Sequence, residues 1–192
     1  IQSFKRQHPG IEMQLIEDSS EGVSEIVESG RADLGFIQMP AGKSTFETRT
    51  LITEAFVLLV SSSHPLARKR DVRLRQLAGE PFVFYKGRAR DTAMEACRKA
   101  GFEPQIACET GELETVRALV AAGLGLAIVP RLAVVQLPRT LKCVRLVEPR
   151  IQRQIAAIWR RGSRLSPAAG EFLSRVKAGL AGRLPSADSG LA

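Results

Sequence analysis

Apolar positions along the chain change between two patterns, and the change predicts where strands and helices alternate. Residues 11–18, "IEMQLIED", alternate apolar and polar side chains, which predicts a strand. Residues 19–30, "SSEGVSEIVESG", place Val23, Ile26 and Val27 on one face of a helix. The segment "ADLGFIQ" then predicts a second strand. A strand, a helix and a strand in this order are typical of a parallel sheet.

The same alternation returns in the second half of the chain. Three further strands are predicted at "PFVFY", "PQIACE" and "LGLAIVP". Two helices are predicted between them, "DTAMEACRKAG", with Asp91 as its cap, and "ELETVRALVAAG". Before them, "TLITEAFVLLVSSSHPLA" predicts a short strand and then a continuous apolar one at Ala55–Val60. The charged stretch "RKRDVRLRQLAGE" (68–80) that follows predicts a linker.

The end of the chain predicts elements that lack neighbours in sequence. After a strand at "TLKCVRLVE", "QRQIAAIWRR" predicts a long strand, and Ser166 caps a helix whose apolar face carries Phe172 and Leu173. Returning this last strand and helix to the first unit gives two α/β subdomains joined by two crossings, near 61–65 and 148–152. We therefore predict subdomain I at 1–62 plus 150–182, subdomain II at 63–149, and a disordered tail at 183–192.

Composition restricts the class of protein. The chain has 192 residues, of which 44% are hydrophobic, enough to bury a core. No apolar run reaches the length of a membrane span, and the first residues lack the pattern of a secretory signal, so we expect a cytoplasmic protein without a membrane partner. Cys97, Cys108 and Cys143 lie far apart without a C-x-x-C spacing, which argues against disulfides and a zinc site.

Charge and histidine content restrict the chemistry. Residues 1–60 hold five Lys and Arg against nine Asp and Glu, and the remainder holds 23 against 11, within a net charge of +8. This charge favours attraction of a small anion, with direct contact to nucleic acid as the lesser alternative. The two histidines, His8 and His64, both precede proline in turns, and no G-x-S-x-G motif accompanies them. We therefore expect neither an enzyme, a metal site nor a cofactor.

Ligand-binding candidates follow the predicted strands, because open α/β sheets bind ligands at the carboxyl ends of their strands. Ser19 and Ser20 offer hydroxyls and backbone N–H groups at a helix N-terminus, with an ordinary cap as the equal alternative. The loop "YKGRARD" adds positive charge, and the junction "ETGEL" adds a second helix N-terminus. We predict that these residues face each other across a cleft between the subdomains. The candidates are Ser19, Ser20, Gln38, Tyr85, Lys86, Gly87, Arg88, Thr110 and Gly111.

Glycines and a proline predict structural positions. In "VAAGLGLAIVP" a helix ends and a strand begins, the reverse of a phosphate-binding glycine loop. We predict that Gly123 is a left-handed helix cap, that Gly125 allows a tight approach of the helix to the sheet, and that Pro130 ends the strand. In "ESGRADLGF", Gly30 is the predicted helix cap, and Asp33 is a predicted structural residue of the strand segment "ADLGFIQ".

Four motifs in order resemble the effector-binding domain of LysR-type transcriptional regulators: "F-x-x-x-H-P-G-I-x-x-x-L-x-E", "ESGRADLGF", "SSHPLA" and "LVAAGLGLAIVP". The resemblance implies two Rossmann-like subdomains joined by two crossover strands, as in type 2 periplasmic-binding-protein-like folds. It implies that a small organic anion, such as a carboxylate, induces a rearrangement of a homodimer or homotetramer. By position, Ser20, the loop from Tyr85 to Arg88, and Thr110 with Gly111 match residues that contact the effector.

The resemblance also implies parts that this segment lacks. The family carries an N-terminal winged helix-turn-helix domain, so DNA is expected to bind through that domain and not through this segment, with RNA polymerase as a partner of the full-length protein. The family's first strand, which contributes to the effector pocket, is also expected to be missing. A periplasmic solute-binding protein is the alternative function, since it shares the fold and the mode of ligand binding.

Overall fold

The computed structural model describes residues 1–42 and 45–181, which form two compact units. Unit 1 contains Ile1–Thr53 and a second segment that begins at Gln154, whereas unit 2 contains Glu54–Arg153. The limits expected from the sequence were 62–63 and 149–150. The chain passes between the units within strands and not in loops, at 53–54 inside one strand and at 153–154 near the start of another. The tail expected at 183–192 lies outside the described residues.

Unit 1 is built from helices and neighbouring strands of one sheet. It contains α1 (Gln2–Gln7), α2 (Ser20–Glu28), β1 (Gly35–Gln38), the first half of β2 (Phe46–Ser61), most of β8 (Gln152–Arg160) and α5 (Pro167–Ala181). Strand β1 pairs antiparallel with β8, and β8 lies beside β2 in the sheet. The parallel pairing predicted for this unit is wrong, because a strand from the far end of the chain occupies the position next to β1. The helix predicted from Ser166 is confirmed, since the Ser166 hydroxyl accepts a hydrogen bond from the Ala169 N–H (3.2 Å).

The strand predicted at 11–18 is not present. This segment has no regular secondary structure, and Leu15 and Ile16 are 81% and 41% exposed. A strand requires a neighbour that satisfies its backbone N–H and C=O groups, and no described strand pairs with these residues. Alternation of side chains was therefore insufficient to form a strand here.

Unit 2 confirms the strands and helices predicted for the second half of the chain. They are β4 (Pro81–Tyr85), α3 (Arg88–Lys99), β5 (Gln105–Thr110), α4 (Leu113–Ala121), β6 (Ala127–Pro130) and β7 (Leu141–Val147). Strands β6 and β7 pair antiparallel with β2, and β4 pairs parallel with β5. A parallel bridge between Phe82 and Leu126 joins β4 to β6. Because Gly87 is the cap of α3, the capping role predicted for Asp91 is wrong.

Two predictions around the charged stretch 68–80 are also wrong. The two strands expected before it are one strand, β2. The stretch itself is not a linker, since it contains β3 (Asp71–Arg73), which runs parallel to β7. Val72, Leu74 and Leu77 are fully buried in the core of unit 2. The prediction of a linker relied on the average composition of the stretch, which is charged. It overlooked that every second or third residue is apolar and packs into the core.

The glycine motif between α4 and β6 combines two different backbone requirements. Gly123 has φ +82°, in the left-handed region, directly after the end of α4. Gly125 lies against β4, where a Cβ atom would stand 2.6 Å from the Pro81 carbonyl oxygen. Pro130 is the last residue of β6. In unit 1, Gly30 follows α2 with φ +76°, and Asp33 is exposed just before β1.

Candidate functional site

Strands β4 and β5 bring the candidate residues of unit 2 together. Because the two strands are parallel, their carboxyl ends meet at one edge, where Tyr85 is the register partner of Thr110. The Lys86 N–H donates to the Thr110 carbonyl oxygen (2.9 Å). We call Tyr85, Lys86, Gly87, Arg88, Thr110 and Gly111 the unit-2 basic site.

Two helices begin at this edge. α3 starts at Arg88 after Gly87, and α4 starts at Leu113 after Glu112, and no side chain caps either N-terminus. The Thr110 hydroxyl instead accepts from the Glu112 N–H (3.2 Å). A helix N-terminus carries partial positive charge on its backbone N–H groups and favours anions.

The basic side chains of the loop differ in their surroundings. Lys86 is exposed, Arg88 is partly buried, and Arg90 forms an ion pair with Glu109 on β5. The charge of Arg90 is therefore already matched within the chain. The unit-2 basic site combines the Lys86 ammonium with two helix N-termini, and an acidic residue lies in the first turn of each helix. The ammonium and the uncapped backbone N–H groups are suited to a carboxylate or a phosphate.

In unit 1, Ser20 and Gln38 come together at the end of β1. The Ser20 hydroxyl accepts a hydrogen bond from the Gln38 N–H (3.2 Å), which connects the N-terminus of α2 to the strand. Ser19 is the N-cap of α2, and its hydroxyl accepts from the Gly22 N–H (3.0 Å). Ser19 thus performs the ordinary capping role that was one of its two alternatives. We call Ser19, Ser20 and Gln38 the unit-1 polar site.

A carboxylate already lies at this helix N-terminus. Asp18 accepts a hydrogen bond from the Ser19 N–H (2.6 Å), and its carboxyl group lies against Gly22. The N-terminus of α2 is therefore partly neutralised by the chain itself. The sequence pattern placed Asp18 at the end of the strand predicted at 11–18. The signal for its position was a glycine four residues later, where any side chain would collide with the carboxylate.

Sequence reasoning also missed a buried charge in unit 2. The side chain of Glu54 has no exposed surface; it accepts from Arg153 Nε (2.7 Å) and from the Leu132 N–H (2.7 Å). Glu54 lies on β2 and Arg153 on β8, at the two places where the chain passes between the units. A glutamate within the apolar run of a strand was the available signal.

The cysteines are free thiols, two of them with raised pKa values. All three cysteines are free, and burial raises the pKa of Cys97 to about 12 and of Cys143 to about 11. Among residues 1–42 and 45–181, no group of three or more His, Cys, Asp or Glu side chains is placed to hold a metal ion. No helix in the same ranges is long and apolar enough to cross a membrane.

Comparisons with known proteins agree on one family. The family model described as "LysR substrate binding domain" matches residues 1–181. The chain is 36% identical over 177 residues to the uncharacterized HTH-type transcriptional regulator YwbI of Bacillus subtilis, covering 91% of this chain and 59% of that protein. It therefore spans about three fifths of the length of this relative.

Solved structures show the same fold. The C-terminal domain of a probable LysR family transcriptional regulator from Rhodococcus sp. RHA1 is 27% identical, with a TM-score of 0.80, covering 91% of this chain and 88% of that one. The regulatory domain of CcmR from Synechocystis PCC6803, solved in complex with 2-PG, has a TM-score of 0.83 at 21% identity and covers 93% and 88% of the two chains. Both confirm the mixed α/β, periplasmic-binding-protein-like fold predicted from the sequence. The chain belongs to the LysR substrate-binding domain family.

Proposed function

We propose that this domain senses a small organic anion, and that the unit-2 basic site holds the anionic group. The observation that carries the proposal is the pair of helix N-termini without side-chain caps, which begin beside Lys86 at the carboxyl edge of β4 and β5. Backbone N–H groups and a lysine ammonium at one edge favour a carboxylate or a phosphate. The exposed ring of Tyr85 offers an apolar face to the body of the same ligand.

The unit-1 polar site is proposed to contact uncharged polar groups of the effector. Asp18 already places a negative charge at the N-terminus of α2, which opposes a second anion there. Ser20 and Gln38 lie together and carry groups that hydrogen-bond to hydroxyls or amides. This division of roles predicts an effector with an acidic group and at least one hydroxyl or amide.

We propose a sensing role and not a catalytic one, because the relatives are transcriptional regulators. Family membership also favours a regulator over the alternative of a periplasmic solute-binding protein. Effector binding would change DNA binding in the full-length protein through rearrangement of a homodimer or homotetramer, by a coupling of about 1–3 kcal/mol. DNA recognition by a helix-turn-helix domain, contact with RNA polymerase and a cytoplasmic location belong to the same proposal.

The proposal is tested by ligand binding to charge-neutralised variants. A panel of small carboxylates and phosphate esters is screened by thermal shift, and each hit is titrated by calorimetry. We expect Lys86→Gln/Arg88→Gln to weaken binding at least tenfold, since charge-assisted hydrogen bonds contribute about 1.5–3 kcal/mol each. The matched control is Arg98→Gln/Lys99→Gln, which removes the same charge from the last turn of α3, at the opposite end of the helix. Equal affinities of the two variants at low salt would exclude the unit-2 basic site.

The unit-1 polar site is tested separately. Ser20→Ala removes the acceptor of the Gln38 N–H, and we expect weaker effector binding with a loss of about 1 kcal/mol in the free energy of unfolding. Ser24→Ala is the control, because the Ser24 hydroxyl donates to the Ser20 carbonyl on the same helix and is outside the proposed contact set. If both serine variants bind the effector equally well, Ser20 has no role in the site.

A further inference from the structure

A strip of positive charge lies on unit 2, in residues other than those assigned to the effector. Five of the eight residues at 68–75 are Lys or Arg, and one is acidic. We call the five the basic edge: Arg68, Lys69, Arg70, Arg73 and Arg75. All five are exposed. They flank and include β3, which is the last strand in the order of its sheet and pairs only with β7 among the described strands.

The basic edge is attached firmly to the core. Val72, Leu74 and Leu77 alternate with the basic residues and are fully buried. The backbone of β3 also pairs with β7 along its three residues. Burial of three large apolar side chains in so short a segment fixes its backbone, so the charged side chains start from defined positions.

Most of this charge is not neutralised within the molecule. Asp71 is bound by Arg145 of β7 (Nη2 to Oδ2, 2.8 Å), and Arg73 pairs with exposed Glu148 (2.9 Å). In the described ranges, no ion pair joins Arg68, Lys69 or Arg75 to an acidic side chain. The strip therefore presents a concentrated positive field to solvent.

We propose that the basic edge binds the phosphate backbone of duplex DNA, as a contact additional to that of a helix-turn-helix domain; this departs from the expectation that DNA binds through that domain and not through this segment. Residues 68–75 span at most about 24 Å, and duplex DNA carries about 14 phosphates over that length. The stretch contains no aromatic residue, so it lacks the stacking groups with which proteins bind single strands. The contact reads no sequence, because lysine and arginine placed against phosphates position a protein without selecting bases.

Membership of a family of transcriptional regulators explains how this domain would come close to DNA. A domain that belongs to a DNA-bound protein is held close to the duplex, where a weak contact has a high effective concentration. This step rests on the proposed function of the full-length protein, whereas the binding of DNA by the basic edge itself can be measured on this chain alone.

The test is fluorescence anisotropy of this chain with a labelled 30-base-pair duplex of random sequence, at several KCl concentrations. Four phosphate contacts predict a slope of about −3.6 in log K against log [salt], which is a loss of about 150-fold between 50 and 200 mM. The variant Arg68→Gln/Lys69→Gln/Arg70→Gln/Arg75→Gln should lose most of the affinity and flatten the slope. Its control, Arg49→Gln/Lys99→Gln/Arg164→Gln/Lys177→Gln, removes equal charge from exposed positions elsewhere and should keep the slope.

Four results would overturn the proposal. The first is absence of DNA binding at 50 mM KCl, and the second is an equal loss of affinity in both variants, which would show only an effect of net charge. The third is binding to phosphatidylserine vesicles without binding to DNA, which would assign the basic edge to a membrane surface. If the basic-edge variant instead self-associates in gel filtration and binds DNA unchanged, the charges only protect the edge strand, and the proposal is also overturned. We expect the basic-edge variant to keep its affinity for the effector, since Lys86 and Arg88 remain in place.

Discussion

Replacing either partner of the Glu54–Arg153 ion pair measures how much one buried charge pair contributes to unit 2. The carboxylate of Glu54 has no exposed surface, and the side chain of Arg153 is 19% exposed. Glu54 also accepts from the Leu132 N–H, which orders the chain after β6. Removing one member of a buried pair costs about 3–5 kcal/mol, because the other charge stays buried without compensation.

The two single variants should differ in size. Glu54→Gln keeps an oxygen acceptor for the Leu132 N–H and leaves a partly exposed guanidinium, so we expect a loss near the lower limit, about 3 kcal/mol. Arg153→Met leaves the fully buried carboxylate without its cation, so we expect a loss near the upper limit, about 5 kcal/mol. In thermal unfolding, 3 kcal/mol corresponds to about 6–12 °C for a chain of this size.

The double variant Glu54→Gln/Arg153→Met removes both charges and tests the reasoning most directly. Its loss should fall short of the sum of the single losses by at least about 2 kcal/mol, because the desolvation cost disappears along with the pair. Urea unfolding followed by circular dichroism measures all three variants. Glu103→Gln, in the exposed pair with Arg98, is the control and should leave the midpoint unchanged. Additive losses in the double variant, or single losses below about 1 kcal/mol, would refute the argument.

Three further predictions concern glycines, thiols and a surface carboxylate. Gly125→Ala should lower the urea midpoint more than Gly123→Ala, by about 3 against about 1 kcal/mol, because its Cβ meets backbone whereas Gly123 has open space and only an unfavourable φ; the reverse order would contradict this. Cys97 and Cys143, whose pKa values burial raises to about 12 and about 11, should react with DTNB at pH 8 far more slowly in the folded protein than in urea; equal rates would contradict their burial. A hydrogen bond from Arg145 on β7 lowers the pKa of Asp71 from its usual 3.8. The ionised Asp71 therefore stabilises the fold fully above pH 3.8, and this stabilisation is lost as the pH falls through the lower pKa of the folded state. Asp71→Asn should flatten the acid side of the plot of stability against pH.

Local sequence patterns were sufficient to predict the helices and strands of unit 2 from β4 to β6. In unit 2, β4, α3, β5, α4 and β6 follow one another along the chain, and each lies where its apolar period predicted it. In this part the neighbours in space are mostly near in sequence, since β4 pairs with β5 and bridges to β6. Local periodicity therefore also contained most of the information about pairing.

Local patterns failed where a distant segment decides the outcome. The alternation at 11–18 predicted a strand, but no described strand pairs with these residues. The neighbour of β1 is instead β8, an antiparallel strand more than a hundred residues along the chain. The charged stretch 68–80 looked like a linker because composition was averaged over residues that alternate between core and solvent. No local pattern assigned a role to Glu54, because its partner Arg153 lies on β8, far along the chain.

The candidate site divides in the same way. The sequence alone determined the family, the order of the elements from β4 to β7, and the positions after each of these strands where polar and basic residues gather, because strand ends and helix starts are local features. Only the tertiary structure decided that Tyr85 and Thr110 are register partners, that Ser20 bonds to Gln38, and that Asp18 occupies the N-terminus of α2. Those relations depend on which strands pair and in which register, and backbone pairing is set by the summed packing of distant segments rather than by any one of them.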